Sequence, residues 1–217
     1  MTKSKIFIVD DHPLVREWLS VVINHTTDLM VCGEAADLNA AVQGIANSHP
    51  DIAIIDLSLG YDSGFDLISI LNRQSPRVTT VVLSMHDEDI YVARAIRAGA
   101  RGYIVKREST GQIVGAIRLV LEGNIYISQE LSERFAQRLT SSSSNTAETP
   151  VTKLSNRELE VFQFIGWGYG TREIAEQLDV NIKTVQTYST RIKEKLGLSS
   201  GAELLREAMR WNGTILV

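Results

Sequence analysis

Two adjacent aspartates, Asp10 and Asp11, end the apolar run Ile6 to Val9, and a third, Asp56, ends another run from Ile52 to Ile55. If these runs are neighbouring buried parallel strands, the three carboxylates meet at one sheet edge. Their repulsion must then be relieved by a cation, a proton or a lysine. Lys106 follows a third run, Gly102 to Val105, and Ser84 ends a fourth. Strand C-termini on one side of a parallel sheet share an edge, so Asp10, Asp11, Asp56, Ser84 and Lys106 are expected to open onto one crevice. Mg²⁺ is a hard ion that takes one or two carboxylates together with waters and phosphate oxygens. That suits Asp11 and Asp56 as direct ligands and Asp10 through water. With its neighbours' charge neutralised, Asp56 can act as a nucleophile and form an aspartyl phosphate, while Lys106 balances the transferred oxygens. His12 and His86 flank the crevice, but a hard cation prefers oxygen and both are read as solvated side chains.

A second constellation lies near the C-terminus. The segment Asn181 to Leu196 is read as a helix that buries Ile182, Val185, Ile192 and Leu196, leaving a polar, cationic face. Lys183, Arg191, Lys193 and Lys195 against Glu194 leave a local positive excess able to track a phosphate backbone. Gln186, Thr187 and Thr190 fall where an inserted helix would meet base edges. Glutamine can pair with adenine, and threonine offers a hydroxyl, or a methyl for thymine.

The elements that must hold these residues follow from periodicity. Short β-branched runs (5–9, 30–35, 52–56, 78–84, 102–105) alternate with helix-period segments (13–25, 38–48, 64–73, 88–98, 110–121). Five strand-helix units of this length imply an α/β doubly wound, five-stranded parallel sheet with helices on both faces, flavodoxin-like in kind. Beyond residue 150 only helical segments occur, near 155–166, 170–178, 181–196 and 201–211, forming a small all-α domain. Ser155 and Glu158 are spaced as a capping box, and the segment from Thr171 to Leu196 has helix-turn-helix spacing. The stretch Thr140 to Pro150 is rich in Ser and Thr and reads as a flexible linker, with a further helix expected near 129–139. The expected organisation is residues 1–124, a connecting helix and linker at 125–150, and residues 151–217.

Composition bounds the function. The formal charge of −4 divides unevenly: residues 1–150 hold 18 acids and 13 Lys/Arg, residues 151–217 hold 8 and 9. Only the second part could face a polyanion, and there local placement rather than bulk charge must carry the argument. A single cysteine, Cys32, excludes a disulfide within one chain. No apolar stretch approaches the ~18 residues of a membrane span and no signal-like segment opens the chain, so a cytoplasmic location without membrane partners is expected.

From residue 4 to about 122 the chain resembles a response regulator receiver domain, carried by Asp10-Asp11, Asp56, Ser84, Tyr103 and Lys106. That resemblance implies a non-enzymatic regulator in which Asp56 accepts phosphate from a histidine kinase. It implies that the carbonyl of Ser58 joins Asp11 and Asp56 on Mg²⁺, that Ser84 bonds the phosphoryl group, and that Tyr103 turns inward behind Ser84. The loop after Asp56 lacks the Met-Pro frequent in such domains, though Gly64 stands where the family has a glycine. Residues 152 to about 211 resemble the LuxR/FixJ-type (NarL-type) helix-turn-helix, through Leu154-Ser-Asn-Arg-Glu-Leu-Glu-Val161, Arg172-Glu-Ile-Ala175, Thr184-Val185 and Lys195-Leu-Gly-Leu198. This implies Lys183, Gln186, Thr187 and Thr190 as groove-facing positions, with Thr171, Arg172, Tyr188, Arg191 and Lys195 as phosphate contacts. Gln186 and Tyr188 replace the lysine and histidine common in relatives, so modest affinity per domain and binding of double-stranded DNA as a homodimer are expected. Half-sites about 10 bp apart are the geometric expectation. The surface from about 84 to 106, with Ile90, Tyr91, Ala95 and Ala98, or the face of the first and fifth helices, is expected to carry the switch. Two other classes stand beside this reading. One is a Mg²⁺-dependent phosphohydrolase, disfavoured because such enzymes use Asp-x-Asp and a cap insertion. The other is a phosphorylation-independent receiver-type regulator, disfavoured by the intact acidic set.

Overall fold

The structure, a computed structural model, describes residues 3–60, 62–85, 89–129, 131–134 and 150–215. The chain forms two compact units, 1–141 and 142–217. The first contains β1 (Ser4–Val9), α1 (Pro13–Asn24), β2 (Leu29–Ala35), α2 (Leu38–Ser48), β3 (Ile52–Ile55), β4 (Ser58–Leu59), β5 (Asp62–Ser63), α3 (Gly64–Gln74), β6 (Thr79–Ser84), α4 (Asp89–Ala98), β7 (Gly102–Val105), α5 (Thr110–Leu121) and β8 (Tyr126–Ile127). The main sheet runs β2-β1-β3-β6-β7-β8 and every pairing in it is parallel.

The apolar runs become strands because both faces are covered. Ile6, Ile8, Ile52, Ile54, Val81, Leu83 and Ile104 pack with Leu19 and Ile23 of α1 and Ile113, Ile117 and Val120 of α5 in one buried cluster. The alternate residues Phe7, Val9, Ala53, Ile55, Val82 and Tyr103 are buried as well. Helix starts are fixed locally: Pro13 opens α1, Asp37 accepts from the Ala40 amide ahead of α2, and Ser109 with Gln112 forms a capping box on α5.

Among the described residues the expected five strands of the main sheet number six, because Tyr126 and Ile127 add a short parallel strand beyond β7. A second departure is the antiparallel hairpin of β4 and β5, with Ser58 opposite Ser63 and Leu59 opposite Asp62. Tyr91 and Ala95, expected on the surface of α4, are fully buried, and Tyr91 stacks on Phe65 with ring centroids 6.3 Å apart. The first unit extends past residue 124, because β8 and the helical residues 131–134 belong to it. The remainder of the expected connecting helix and most of the Ser/Thr-rich linker, 135–149, lie outside the described residues, as does His86.

Among its described residues the second unit has a short 3₁₀ turn (Pro150–Lys153) and four helices, α6 (Asn156–Gly166), α7 (Thr171–Gln177), α8 (Ile182–Leu196) and α9 (Gly201–Ile215). Leu159, Phe162, Ile174, Val185, Ile192, Leu204 and Ala208 form its buried interior, with Trp211 tilted on Phe162 at 5.8 Å. The capping box expected of Ser155 and Glu158 is present. Among the described residues no helix is long and apolar enough to cross a membrane.

Candidate functional site

The C-termini of β1, β3, β6 and β7 bring the acidic set together. Asp10 and Asp56 are 2% and 4% exposed, which denies their charges the screening of bulk water. Lys106 Nζ lies 2.8 Å from Asp10 Oδ2 and 2.7 Å from Asp56 Oδ2, so one ammonium bridges two buried carboxylates. Asp10 Oδ1 accepts from the His12 amide at 2.9 Å, and Arg16 Nη1 donates to the Asp10 carbonyl at 2.6 Å. Asp11 Oδ2 accepts from the Gly60 amide at 2.9 Å, across to the hairpin. Asp11 Oδ1 is buried and accepts no hydrogen bond, and His12 Nδ1 lies 2.7 Å from it.

Asp10, Asp11, His12 and Asp56 each offer one ligand atom, all within 4.8 Å of one another. Three carboxylates, one of them with a buried oxygen that accepts no hydrogen bond, are the oxygen donors a hard divalent cation takes, and they fit Mg²⁺. His12 joins this group more closely than its sequence position suggested, though its side chain is 66% exposed. Burial pushes the Asp56 carboxyl up to about 7; Lys106 opposes this, Asp10 adds to it, and a hydrogen bond from the Ser58 amide also opposes it. Burial alone would lower the Lys106 ammonium, but the charges and hydrogen bonds of Asp56 and Asp10 raise it on balance. The lysine is therefore a fixed positive charge.

Backbone geometry holds Asp56 in place. A Cβ on Gly64 would sit 2.1 Å from the Asp56 carbonyl oxygen, so α3 can start this close to the acid only with a glycine. Ser84 is 1% exposed and its carbonyl accepts from the Lys106 amide at 2.7 Å. Tyr103, in β7 opposite Val82 of β6, is wholly buried.

In the second unit α8 carries the cationic face. Asn181 caps it, accepting from the Lys183 amide at 2.8 Å, and Gly197 ends it with φ +67. Lys183, Gln186, Thr187, Thr190 and Arg191 are exposed along one side and Tyr188 is half-buried. Ile182, expected in the core, is instead 41% exposed at the first helical position, and the buried side starts at Val185. Thr187 and Thr190 donate their hydroxyls to the carbonyls of Lys183 and Gln186, at 2.9 and 3.1 Å. What they present outward is therefore a methyl group and oxygen lone pairs. Thr171 and Arg172 are exposed at the start of α7. Lys195 Nζ lies 2.6 Å from Glu158 Oε2, the carboxylate that also accepts from the Ser155 amide at 2.6 Å. Burial would raise Glu158, but these bonds hold it below the usual carboxylate range. Part of the Lys195 charge is thus spent inside the unit. Beneath it, Arg157 pairs with the fully buried Glu160 at 2.6 Å.

The sequence matches two family models: residues 6–118 that of the response regulator receiver domain, and residues 152–208 that of the luxR family of bacterial regulatory proteins. The oxygen regulatory protein NreC of Staphylococcus aureus is 38% identical over 210 residues, covering 95% of this chain and 97% of that protein. A solved two-component response regulator of the LuxR family from Aurantimonas sp. is 28% identical, with a TM-score of 0.62 over 64% of this chain and 100% of that one. RcsB from Salmonella enterica serovar Typhimurium, solved bound to a promoter in the presence of a phosphomimetic, is 23% identical. It covers 94% of this chain and 98% of its own with a TM-score of 0.61, a likeness of fold.

Proposed function

The chain belongs to the two-component response regulators that join a receiver domain to a luxR-family DNA-binding domain, and from that membership we propose that its control of transcription is switched by phosphorylation of Asp56. The observation that carries this reading is the single lysine bridging two buried aspartates: Lys106 stands 2.7 Å from the proposed acceptor and 2.8 Å from Asp10.

A carboxylate oxygen of Asp56 attacks the phosphorus of a phosphohistidine on the partner kinase. The P–N bond breaks, and the histidine leaves with the bonding pair and takes up a proton as neutral imidazole. Lys106 balances the charge on the phosphoryl oxygens, and the Ser84 hydroxyl donates to one of them. Asp10, Asp11, Asp56 and the carbonyl of Ser58 would hold Mg²⁺, and the buried Asp11 Oδ1, which accepts no hydrogen bond, supports this. Bound there, the ion supplies positive charge that offsets the clustered carboxylates and the developing phosphate charge.

The output is double-stranded DNA. Lys183, Gln186, Thr187 and Thr190 of α8 enter the major groove, and Thr171, Arg172, Tyr188 and Arg191 contact phosphates, with Lys195 contributing the charge left over from Glu158. One such domain has few free cations, so two copies bind together and effective concentration supplies the rest. Phosphorylation adds roughly −1.5 to −2 charges at Asp56, enough to draw in Ser84 and Lys106.

The experiment is selection of bound DNA by the full chain, with and without phosphodonor, beside Asp56→Asn. The expected result is an operator with half-sites about one helical turn apart, bound more tightly and as a dimer after phosphorylation in the parent only. Equal enhancement in parent and Asp56→Asn would refute the reading.

A further inference from the structure

The sixth strand of the receiver is built from residues that follow α5, where the chain leaves toward its second unit. β8 pairs Tyr126 with Gly102 and Ile127 with Tyr103, and the Tyr126 amide donates to the Arg101 carbonyl at 3.0 Å. Its neighbour β7 carries Tyr103 and ends on Lys106. In the turn between β7 and α5, Glu108 uses both carboxylate oxygens. Oε1 accepts from the Val105 amide at 3.0 Å, and Oε2 accepts from the Tyr126 hydroxyl at 2.8 Å. One side chain therefore ties the turn that presents Lys106 to the first residues of the connector. The same turn is joined to Ser84, whose carbonyl accepts from the Lys106 amide at 2.7 Å.

Tyr126 packs against the buried cluster that α1 and α5 form with the sheet. Burial, and then the hydrogen bond and charge of Glu108, push its phenol up to about 12, so the hydroxyl stays a donor at neutral pH. A hydroxyl held by a carboxylate is among the stronger hydrogen bonds. Beside it runs a crevice of about 350 Å³ lined by Val105, Arg107, Gln112, Ser128 and Glu133 among others, which gives the turn space to shift. Leu131, 1% exposed, anchors the next part of the connector, so the device acts on the residues ahead of it.

We propose that Glu108 and Tyr126 form a latch through which the acidic crevice controls the start of the connector between the domains. This rests on the reading that Asp56 receives a phosphoryl group. When Ser84 and Lys106 are drawn to that group, the backbone bond between them moves the Val105 to Glu108 turn. Glu108 loses its alignment with Tyr126, and β8 parts from β7. The bond present in one state and lost in the other is the differential interaction that such a switch requires.

The test follows amide hydrogen exchange at 126–129 in the full chain, with and without beryllofluoride and Mg²⁺, for the parent and Tyr126→Phe. Phosphate incorporation at Asp56 from acetyl phosphate is read in parallel by mass spectrometry. In the parent, beryllofluoride is expected to speed exchange there about tenfold, the change a charge-assisted hydrogen bond supports. Tyr126→Phe is expected to exchange as fast without it, to gain little more with it, and to incorporate phosphate like the parent. A parent that phosphorylates Asp56 yet keeps its exchange unchanged would overturn the latch and leave the functional reading intact. So would slow exchange in Tyr126→Phe. A parent that takes no phosphate overturns the functional reading, and the latch falls with it for want of an input.

Discussion

Lys106 Nζ lies 2.7 Å from Asp56 Oδ2, although the two residues are 50 positions apart and β6 runs between their strands. The pair exists because β3 and β7 end on the same edge of a parallel sheet, and it is shared: Asp10 takes the other side of the ammonium at 2.8 Å. Three charges in so dry a place hold one another, so removal of one is felt by the others.

Lys106→Ala leaves two buried carboxylates facing each other. The expected cost in Mg²⁺-free buffer is about 3–5 kcal/mol of unfolding free energy, read by urea denaturation, with part of it recovered on adding Mg²⁺. A variant as stable as the parent without Mg²⁺ would show that the ammonium does not hold this site.

Asp56 makes stability depend on pH in a direction unusual for an aspartate. Its carboxyl is raised from 3.8 to about 7, so between these values the folded chain binds more protons than the unfolded one. The contribution is complete below about pH 4 and is lost as pH rises through 7. Without Mg²⁺, the parent should therefore lose stability across that window relative to Asp56→Asn, and saturating Mg²⁺ should flatten the difference. Paired denaturation curves at several pH values would check it. A difference that grows in the opposite direction would contradict the raised value.

Gly64→Ala places a methyl group against the Asp56 carbonyl oxygen, far inside van der Waals contact. The start of α3 must shift, at a cost of roughly 1–3 kcal/mol, and the backbone of Asp56 must shift with it. Thermal melting should fall and phosphate incorporation at Asp56 should slow together.

On DNA, Lys183→Ala and Arg191→Ala should each lower the slope of log affinity against log salt by about 1. Lys195→Ala should lower it less while destabilising the domain, because its partner Glu158 is buried and 2.6 Å away. Gln186→Ala should instead relax sequence preference, by about 1–3 kcal/mol at one base pair. Filter binding over a salt series and on mutated operators would separate the three outcomes.

The acidic crevice was legible in the sequence because fully buried parallel strands leave unbroken apolar runs, and the residue that ends each run marks the edge. Asp10, Asp56, Ser84 and Lys106 are such residues, and the geometry brings them together. What escaped was short or non-local. β8 is two residues, Tyr126 and Ile127, too brief for any period to register, and the hairpin of Ser58–Leu59 with Asp62–Ser63 is equally short. Tyr91 and Ala95 looked like a surface patch because helical spacing cannot say which side of α4 meets Phe65. Lys195 looked free because its partner Glu158 lies 37 residues earlier in another helix, and Glu108 finds Tyr126 18 residues on.

β8 has one further effect, on where the chain can safely be shortened. A fragment ending at residue 124 would strip β7 of its outer neighbour and leave a row of unpaired amides and carbonyls on an apolar strand, a template for another molecule's strand. Such a fragment should self-associate with rising concentration in sedimentation, whereas one ending at residue 134 keeps that side shut and should stay dispersed. By lying along its own sheet before it departs, the connector shields the receiver from its neighbours.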